Sequence, residues 1–346
     1  MRLPVLPPVS PMLAKLREEM PRGDGWLYEP KWDGFRALAF RDGDEVQLTS
    51  RDTRPIDRYF PELLDPLRNA LPDRCVVDGE VVIAGDDGRD FDALLLRIHP
   101  AASRIALLAE TTPSSFVAFD VLALGDESLV DRPLSERRAR LEAALQDAPP
   151  ADPSRIRPCK VFVTPQTADP DEAVVWFDAY EAMGLDGVIA KQSSIVYSPG
   201  QRTMVKVKHK RTADCVVGGY RLSKSGDGVG SLLLGLYDER GVLHYVGHTS
   251  SFKAAERRAL LEELKPLEGG TSFVGGRAPG GPSRWTGATE KTWVPLEPSL
   301  VCEVSFDHMQ GERFRHAATF VRWRPEKKPE DCDFVQLGPL FKGNRR

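Results

Sequence analysis

The pattern of secondary-structure signals changes near residue 208, and this change limits the folds open to the 346-residue chain. Before that point, helical and strand-like stretches mix without a regular βαβ alternation, which predicts an α+β domain with a largely antiparallel layout. After it, about five short strands with glycine-rich turns, interrupted by one helix, predict a small Greek-key barrel of the OB-fold type. We therefore predict two domains, covering residues 1–208 and 209–346.

Local signals place the predicted elements along both parts. In the first part, strands are expected at 26–32, 36–40, 46–49, 75–84, 116–124, 187–191 and 204–208. Helices are expected at 59–71, 91–98, 135–145 and 169–183, and Ser10-Pro11, typical of a helix start, predicts another at 12–19. In the second part, strands are expected at 215–220, 230–237, 242–248 and 300–306, with a helix at 252–264. Residues 269–287 are rich in glycine, proline and serine, which predicts a long mobile loop.

The composition is typical of a globular protein, with 41% hydrophobic and 28% charged residues. No stretch approaches the roughly 18 apolar residues of a membrane span, and the proline-rich N-terminus is unlike a signal peptide. The five cysteines are scattered, so we expect a cytoplasmic protein with reduced thiols. Residues 206–346 include 23 basic and 17 acidic residues, whereas residues 1–205 include 24 basic and 34 acidic residues. A basic second part favours a polyanionic partner.

Lys31 is the first candidate for chemistry. It lies between Glu29 and Asp33, at the end of a strand-like segment and just before Gly34, which marks a turn. A lysine amine becomes a nucleophile when it is desolvated or lies near other cations. Taken alone, however, the pattern Lys-x-Asp-Gly more often belongs to a solvated lysine on a hairpin.

Further signals follow Lys31 along the chain in a fixed order. They are Ser50-Arg51, Asp78-Gly79-Glu80, Phe119-Asp120, the run 186–191 with Lys206-Val207-Lys208 after it, and Arg324-Pro325-Glu326-Lys327. This ordered set, spread over nearly the whole chain, resembles the covalent nucleotidyltransferases, the superfamily of DNA ligases, RNA ligases and mRNA capping enzymes. The run 313–327 further resembles the end of bacterial ATP-dependent DNA ligases of the Ligase C type, relatives of the ligase domain of Ligase D. The resemblance implies a nucleotidyltransferase (adenylation) domain followed by an OB-fold domain.

The resemblance implies catalytic roles for three lysines. Lys31 would attack the α-phosphate of ATP and carry AMP as a phosphoramidate. Lys206 and Lys208 alternate with valines, so on a strand both amines face one side. There they would contact the α-phosphate and lower the pKa of Lys31. Without the resemblance, this basic run fits a solvated edge strand about equally well.

Other residues are expected to bind the nucleotide. By resemblance, Glu29 contacts the adenine amino group and Phe119 stacks on the purine. Arg36, Arg51 and Glu80 resemble the ribose and phosphate contacts of the family. Taken alone, Phe119 is better explained as a core strand residue, and Glu80 equally well as a solvated turn residue. The expected nucleotide contacts also include Lys191 and, for the departing pyrophosphate, Arg324 and Lys327.

Two carboxylates differ from the commoner family pattern. Asp186 stands where the family usually has glutamate, and Glu326 where it usually has aspartate. Both substitutions keep a carboxylate, so Asp186 is expected to be a ligand of Mg²⁺ (or Mn²⁺), directly or through water. Its side chain is one methylene shorter than that of glutamate, which leaves direct coordination open.

The expected function is ATP-dependent sealing of nicks in duplex DNA, with a role in DNA repair. We expect a monomer without membrane contact, whose further partners would be other DNA repair proteins. An RNA ligase or a GTP-using capping enzyme on the same fold is the nearest alternative. A non-enzymatic nucleic-acid-binding module is the alternative from another class, because an OB-like barrel alone suits that role.

Overall fold

The computed structural model describes residues 1–85, 88–89, 91–181, 183–280 and 292–340. The chain forms two compact units, Met1–Lys208 and His209–Arg346. In the described residues, no helix combines the length and the apolar character that crossing a bilayer requires.

Strands and helices alternate irregularly in the first unit. Its strands are β1 Leu13–Arg17, β2 Trp26–Pro30, β3 Phe35–Asp42, β4 Glu45–Ser50, β5 Arg74–Gly85, β6 Gly88–Arg89, β7 Ser114–Leu124, β8 Glu127–Ser128, β9 Val161–Val163, β10 Val188–Gln192 and β11 Arg202–Val207. Its α-helices are α1 Leu64–Ala70, α2 Phe91–Arg97, α3 Ala102–Thr111, α4 Leu134–Ala144 and α5 Pro170–Glu181, and 3₁₀ turns cover Asp57–Tyr59 and Pro61–Leu63. The predicted α+β class is confirmed.

Two sheets organise the described part of the first unit. The larger has the order β4-β3-β5-β7-β8, with β6 beside β5 and β9 beside β7. Its pairings are antiparallel except that of β7 with β9. Helices α1 and α4 pack against this sheet over a core that includes Phe60, Leu67 and Leu141. The smaller sheet has the order β1-β11-β10-β2.

The prediction of a helix at residues 12–19 is wrong. Residues Leu13–Arg17 form β1, which pairs in parallel with β11 in the smaller sheet. Met12, just before the strand, is fully buried beside Leu38 and Phe40. Pairing with a strand about 190 residues further on therefore outweighs the local helix-start signal, because a short isolated helix is only marginally stable in water whereas the strand gains backbone hydrogen bonds from β11.

The second unit is built mainly from antiparallel strands. Its elements are β12 Arg211–Leu222, β13 Val229–Tyr237, β14 Leu243–Thr249, α6 Ala254–Leu264, β15 Val294–Pro295, β16 Val301–Phe306, β17 Met309–Gln310, β18 Arg313–Phe314 and β19 Thr319–Trp323, with 3₁₀ turns at Lys265–Leu267, Pro329–Asp331 and Phe334–Leu340. Within the described residues, its main sheet runs β14-β13-β12-β16-β19, with β15 beside β12. Helix α6 packs on β13. The predicted OB-fold architecture is confirmed.

The mobile loop expected at 269–287 is only partly described, and its described half is packed. Phe273 is 3% exposed in the core of the second unit. The Ser272 hydroxyl donates a hydrogen bond to the Leu296 carbonyl at 2.5 Å. Gly218 leaves space for the Phe273 ring, which would lie 2.5 Å from a Cβ at that position. Ser272 and Phe273 thus anchor the described half of this segment, its mobility stays a prediction, and residues 281–287 lie outside the described residues.

Candidate active site

A cavity of about 190 Å³ lies between the two sheets of the first unit. Strands β2, β10 and β11 line one side of the cavity, and β3, β5 and β7 line the other. Residues 11–14, which include the start of β1, also line it. Eight of the residues expected to act on the nucleotide line this cavity. They are Glu29, Lys31, Arg36, Arg51, Glu80, Phe119, Lys191 and Lys206. The fold therefore brings together residues that are up to 177 positions apart in the chain.

Lys31 and Lys208 share one carboxylate oxygen. The Lys31 amine lies 2.5 Å from Oδ2 of Asp186, and the Lys208 amine lies 2.7 Å from the same atom. The Asp186 side chain is 6% exposed, so water screens this arrangement weakly. Asp186 is long enough to reach both amines, despite being one methylene shorter than the usual glutamate.

Backbone geometry fixes Lys31 beside Asp186. The Lys31 N–H donates to the Gly187 carbonyl at 2.9 Å, and the Asp186 N–H donates to the Lys31 carbonyl at 3.0 Å. Gly187 has φ +133°, and a Cβ there would lie 2.0 Å from the Val207 carbonyl oxygen. Only glycine permits this approach, so the Asp-Gly pair is needed for geometry as well as for charge.

The pKa of Lys31 lies above its usual value. Burial lowers the pKa of this amine, but the carboxylates of Asp186 and Asp33 outweigh burial. Lys206 shifts in the opposite direction, because burial and then the charges of Lys208 and Lys31 lower its pKa. Repulsion between the Lys31 and Lys206 amines is mutual, so Lys206 acts to lower the pKa of Lys31 as expected, but the carboxylates of Asp186 and Asp33 make the net shift of that pKa upward.

Glu29 is held by a second set of contacts. Its Oε2 accepts an ion pair from the Lys191 amine at 2.7 Å, and its Oε1 accepts a hydrogen bond from Nε2 of Gln166 at 2.7 Å. A nitrogen of Arg138 lies 3.8 Å from Oε1. Backbone hydrogen bonds in both directions between Tyr28 and Thr167 place Gln166 beside the carboxylate. Both Glu29 oxygens are thus fixed by neighbouring cations and amides.

Arg36 and Glu80 are directly opposite each other on β3 and β5. The Arg36 guanidinium donates two hydrogen bonds, both 2.6 Å long, to the carboxylate of Asp78. Burial raises the pKa of Glu80 to about 7, although Arg36 and Lys31 act in the opposite direction. Glu80 is therefore poised to gain or lose a proton near neutral pH.

Phe119 lies among cations. The Arg36 guanidinium is 4.5 Å from the centroid of its ring, and the Lys191 amine is 4.8 Å away. These distances suit cation–π contacts. Most of β7 is fully buried, so burial alone would make Phe119 a core residue, yet one part of its ring lines the cavity. Arg51 follows the last residue of β4 and also lines the cavity.

The carboxylates present can hold a metal ion only with help from other ligands. Among the described residues, no three His, Cys, Asp or Glu side chains form a group that could hold a metal. Asp186 offers one carboxylate, already bridging two amines. Mg²⁺ is commonly held by one or two carboxylates together with substrate phosphates, so the site fits a metal that arrives with a nucleotide.

Arg324 and Lys327 belong to the second unit, and here they pair with acidic side chains of that unit. Arg324 lies 2.7 Å from Asp214 and 2.6 Å from Glu326. Lys327 lies 3.9 Å from Asp214. The Glu326 carboxylate thus holds the neighbouring arginine.

Both parts of the chain match family models. Residues 11–208 match the ATP dependent DNA ligase domain, and residues 225–327 match the ATP dependent DNA ligase C terminal region. The chain is 53% identical to DNA ligase C2 of Mycolicibacterium smegmatis over 351 residues, which cover 97% of this chain and 96% of that protein. It is also 53% identical to DNA ligase C of Mycobacterium tuberculosis over 352 residues, with the same coverage.

The chain belongs to the ATP-dependent DNA ligase family. A solved structure from a study of Lig E DNA ligases shares its fold, with a TM-score of 0.53 and 18% identity, covering 90% of this chain and 99% of that one. The predicted resemblance to the bacterial Ligase C type is confirmed. The family match supports a DNA ligase over an RNA ligase, a capping enzyme or a binding module without activity.

Sequence reasoning missed several residues of this ligase that hold the cavity in shape. Gln166 fixes Glu29, and Tyr197 donates a hydrogen bond to Asp78 at 2.6 Å. Arg202 lines the cavity at the start of β11. None of these belongs to a recognisable motif, and each reaches the site through contacts that are distant in sequence. Only the periodicity of β11, which predicts a strand, could have drawn attention to Arg202.

Proposed function

We propose that Lys31 is the residue that carries AMP in this ATP-dependent DNA ligase. The observation that supports this most strongly is the position of its amine, which lies in the cavity beside Lys206 and within 2.5 Å of Asp186. Lys31 would attack the α-phosphorus of ATP, forming a phosphorus–nitrogen bond while the bond to the β-phosphate oxygen breaks. Pyrophosphate leaves, and the proton of the amine passes to solvent or to a neighbouring base.

Two further transfers would complete nick sealing. An oxygen of the 5′-phosphate at the nick attacks the AMP phosphorus, which releases Lys31 as the amine. The 3′-hydroxyl then attacks the 5′-phosphorus and AMP leaves, so one phosphodiester bond is formed for each ATP cleaved. Lys206 and Lys208 would stabilise negative charge on the phosphate in these steps.

Different residues of the cavity would serve recognition and chemistry. Glu29 would accept a hydrogen bond from the adenine amino group and Phe119 would stack on the purine, with Lys191 holding the Glu29 carboxylate in place. Arg36, Arg51 and Glu80 would contact the ribose and phosphates. Arg324 and Lys327 would contact the departing pyrophosphate.

A divalent cation fits this scheme as part of the nucleotide complex. Asp186 together with phosphate oxygens would hold Mg²⁺ or Mn²⁺, which would neutralise phosphate charge. The ion pair with Asp186 favours the protonated form of the Lys31 amine. The amine must lose this proton before it can attack, so Asp186 would first have to exchange Lys31 for another partner. We further propose that residues 1–208 carry out self-adenylylation, that the basic residues of 209–346 bind nicked DNA, and that the chain acts as a monomer.

Labelled ATP tests the proposal. Wild-type protein incubated with α-labelled ATP and Mg²⁺ should acquire covalent label, and Lys31→Ala should acquire none. Comparing ATP with GTP, and nicked duplex DNA with nicked duplex RNA, should show a preference for ATP and DNA. Wild-type protein that stays unlabelled, while a nick is nevertheless sealed, would reject the covalent route through Lys31.

A further inference from the structure

Two buried ion pairs lie side by side behind the cavity. Asp78 on β5 and Asp120 on β7 are directly opposite each other in the sheet. Each carboxylate has its own arginine: Arg36 binds Asp78 with two bonds of 2.6 Å, and Arg137 binds Asp120 with bonds of 2.8 and 2.9 Å. Both carboxylates are almost completely buried. Two buried charges of one sign are tolerated because each is paired.

Tyr197 contacts both pairs. Its hydroxyl donates a 2.6 Å hydrogen bond to Oδ2 of Asp78, and its ring lies under the Arg137 guanidinium, 5.6 Å from the ring centroid. The hydroxyl also accepts a hydrogen bond from the Met12 N–H at 3.4 Å. Tyr197 is 2% exposed, so no water replaces these partners easily.

The backbone around Tyr197 is anchored to neighbouring elements. The Tyr197 N–H donates to the Val130 carbonyl at 2.9 Å. A guanidinium nitrogen of Arg137 donates to the Ile195 carbonyl at 3.0 Å. This loop between β10 and β11 therefore presents the tyrosine hydroxyl at a fixed point.

We propose that Tyr197 is a positioning residue for Arg36, acting through Asp78. Oδ2 of Asp78 accepts hydrogen bonds from both the Tyr197 hydroxyl and Nη2 of Arg36, so the hydroxyl fixes the plane of the carboxylate and hence that of the guanidinium. Arg36 lines the cavity and lies against Phe119. The inference rests on the proposed function, in which Arg36 contacts the bound ATP.

The matched control is a second buried tyrosine hydroxyl. Tyr220 is 3% exposed, and its hydroxyl donates a 2.5 Å hydrogen bond to the Glu268 carboxylate within the second unit. Tyr220→Phe removes a comparable hydrogen bond that has no link to Arg36 or to the cavity. Tyr197→Phe and Tyr220→Phe should therefore each lower thermal stability but differ in nucleotide binding.

Single-turnover self-adenylylation at varied ATP concentration provides the measurement. Tyr197→Phe should raise the half-saturating ATP concentration about tenfold, the usual effect of losing one hydrogen bond to a charged group. Its maximal rate should stay within about threefold of wild type, and Tyr220→Phe should match wild type in both quantities. Equal half-saturating concentrations in the two phenylalanine variants would overturn the proposal. Failure of the wild type to label would instead reject the proposed function.

A double-mutant cycle separates the route through Arg36 from the contact with Met12. Arg36→Lys keeps the positive charge but loses the two-bond geometry. In that background, Tyr197→Phe should change the half-saturating ATP concentration less than about twofold, because the group it positions is already gone. A full tenfold effect in both backgrounds would show that Tyr197 acts independently of Arg36 and would reject the inference, even if the single variant behaves as expected.

Discussion

Glu29 and Asp186 are two buried carboxylates of one cavity, and they are paired in different ways. Glu29 uses both oxygens, one for Lys191 and one for Gln166, and neither partner is the proposed nucleophile. Asp186 uses one oxygen for two amines, of which one is Lys31. The first arrangement can persist while ATP binds, whereas the second must change before Lys31 can attack. In the proposed function, Glu29 therefore serves recognition of the nucleotide, and Asp186 controls the nucleophile.

Of the two carboxylates, Asp186 is expected to show the larger effect, in the variant Asp186→Asn. Loss of the negative charge removes the proposed metal ligand and the carboxylate shared by Lys31 and Lys208, so the maximal rate of self-adenylylation should fall by about 10²-fold. Quenched-flow labelling with saturating ATP and Mg²⁺ measures this rate. Glu62→Gln, which changes a largely buried carboxylate paired with Arg97 outside the cavity, is the control. A fall of less than about threefold for Asp186→Asn would remove the distinction between the two carboxylates.

A smaller and different effect is expected from Glu29→Gln. The amide keeps the shape but loses the charge that pairs with Lys191, so the half-saturating ATP concentration should rise by about tenfold, with a maximal rate within a few-fold of wild type. Loss of the carboxylate beside buried Lys191 should also lower the melting temperature by several degrees. Titration of ATP in the labelling assay and differential scanning calorimetry measure the two effects. If the maximal rate fell as steeply as in Asp186→Asn, Glu29 would not be confined to recognition.

The smallest effect concerns pH and Glu80. Because burial raises the pKa of folded Glu80 to about 7, the folded protein holds a proton that the unfolded chain has lost between about pH 4.5 and 7. Stability contributed by this group is therefore lost as pH rises through that window. Glu80→Gln should gain about 1 kcal/mol relative to wild type between pH 5 and 8, after allowance for its part-exposed side chain, or about 2–4 °C.

Melting curves at pH 5 and pH 8 check this prediction. Glu110→Gln changes an exposed glutamate of α3 and serves as the control. A difference between Glu80→Gln and wild type that is the same at both pH values would contradict the assignment of this titration to Glu80.

Much of the fold was predictable from the sequence, because long stretches with periodic apolar residues indicate most of the secondary structure. The strands around Phe40, Val77 and Val217 have apolar patterns that match β3, β5 and β12. The error at β1 has a physical origin: five residues carry too little periodicity to outweigh a capping signal, and the pairing with β11 is invisible locally. Helix α3 was missed, and the packing of Phe273 likewise depends on contacts far along the chain.

Motifs that group several residues predicted much of the lining of the cavity, whereas residues that reach it singly through distant contacts were missed. Lys31 and Asp186 stand in motifs whose residue types fit the chemistry. Gln166 and Tyr197 are single polar residues in loops, and their partners are 137 and 119 positions away. The direction of the Lys31 pKa shift also could not be predicted, because it depends on which charge lies closest to the amine in three dimensions.

The most direct test of the central claim is to locate the adenylate by mass spectrometry. Wild-type protein is incubated with ATP and Mg²⁺, digested, and the peptide containing Lys31 is compared with the peptides containing Lys206 and Lys208. The expected result is the added mass of one adenylate on Lys31 alone, lost when nicked DNA is supplied. An adenylate on another lysine, or none in a preparation that seals nicks with ATP, would contradict the assignment of Lys31 as the nucleophile.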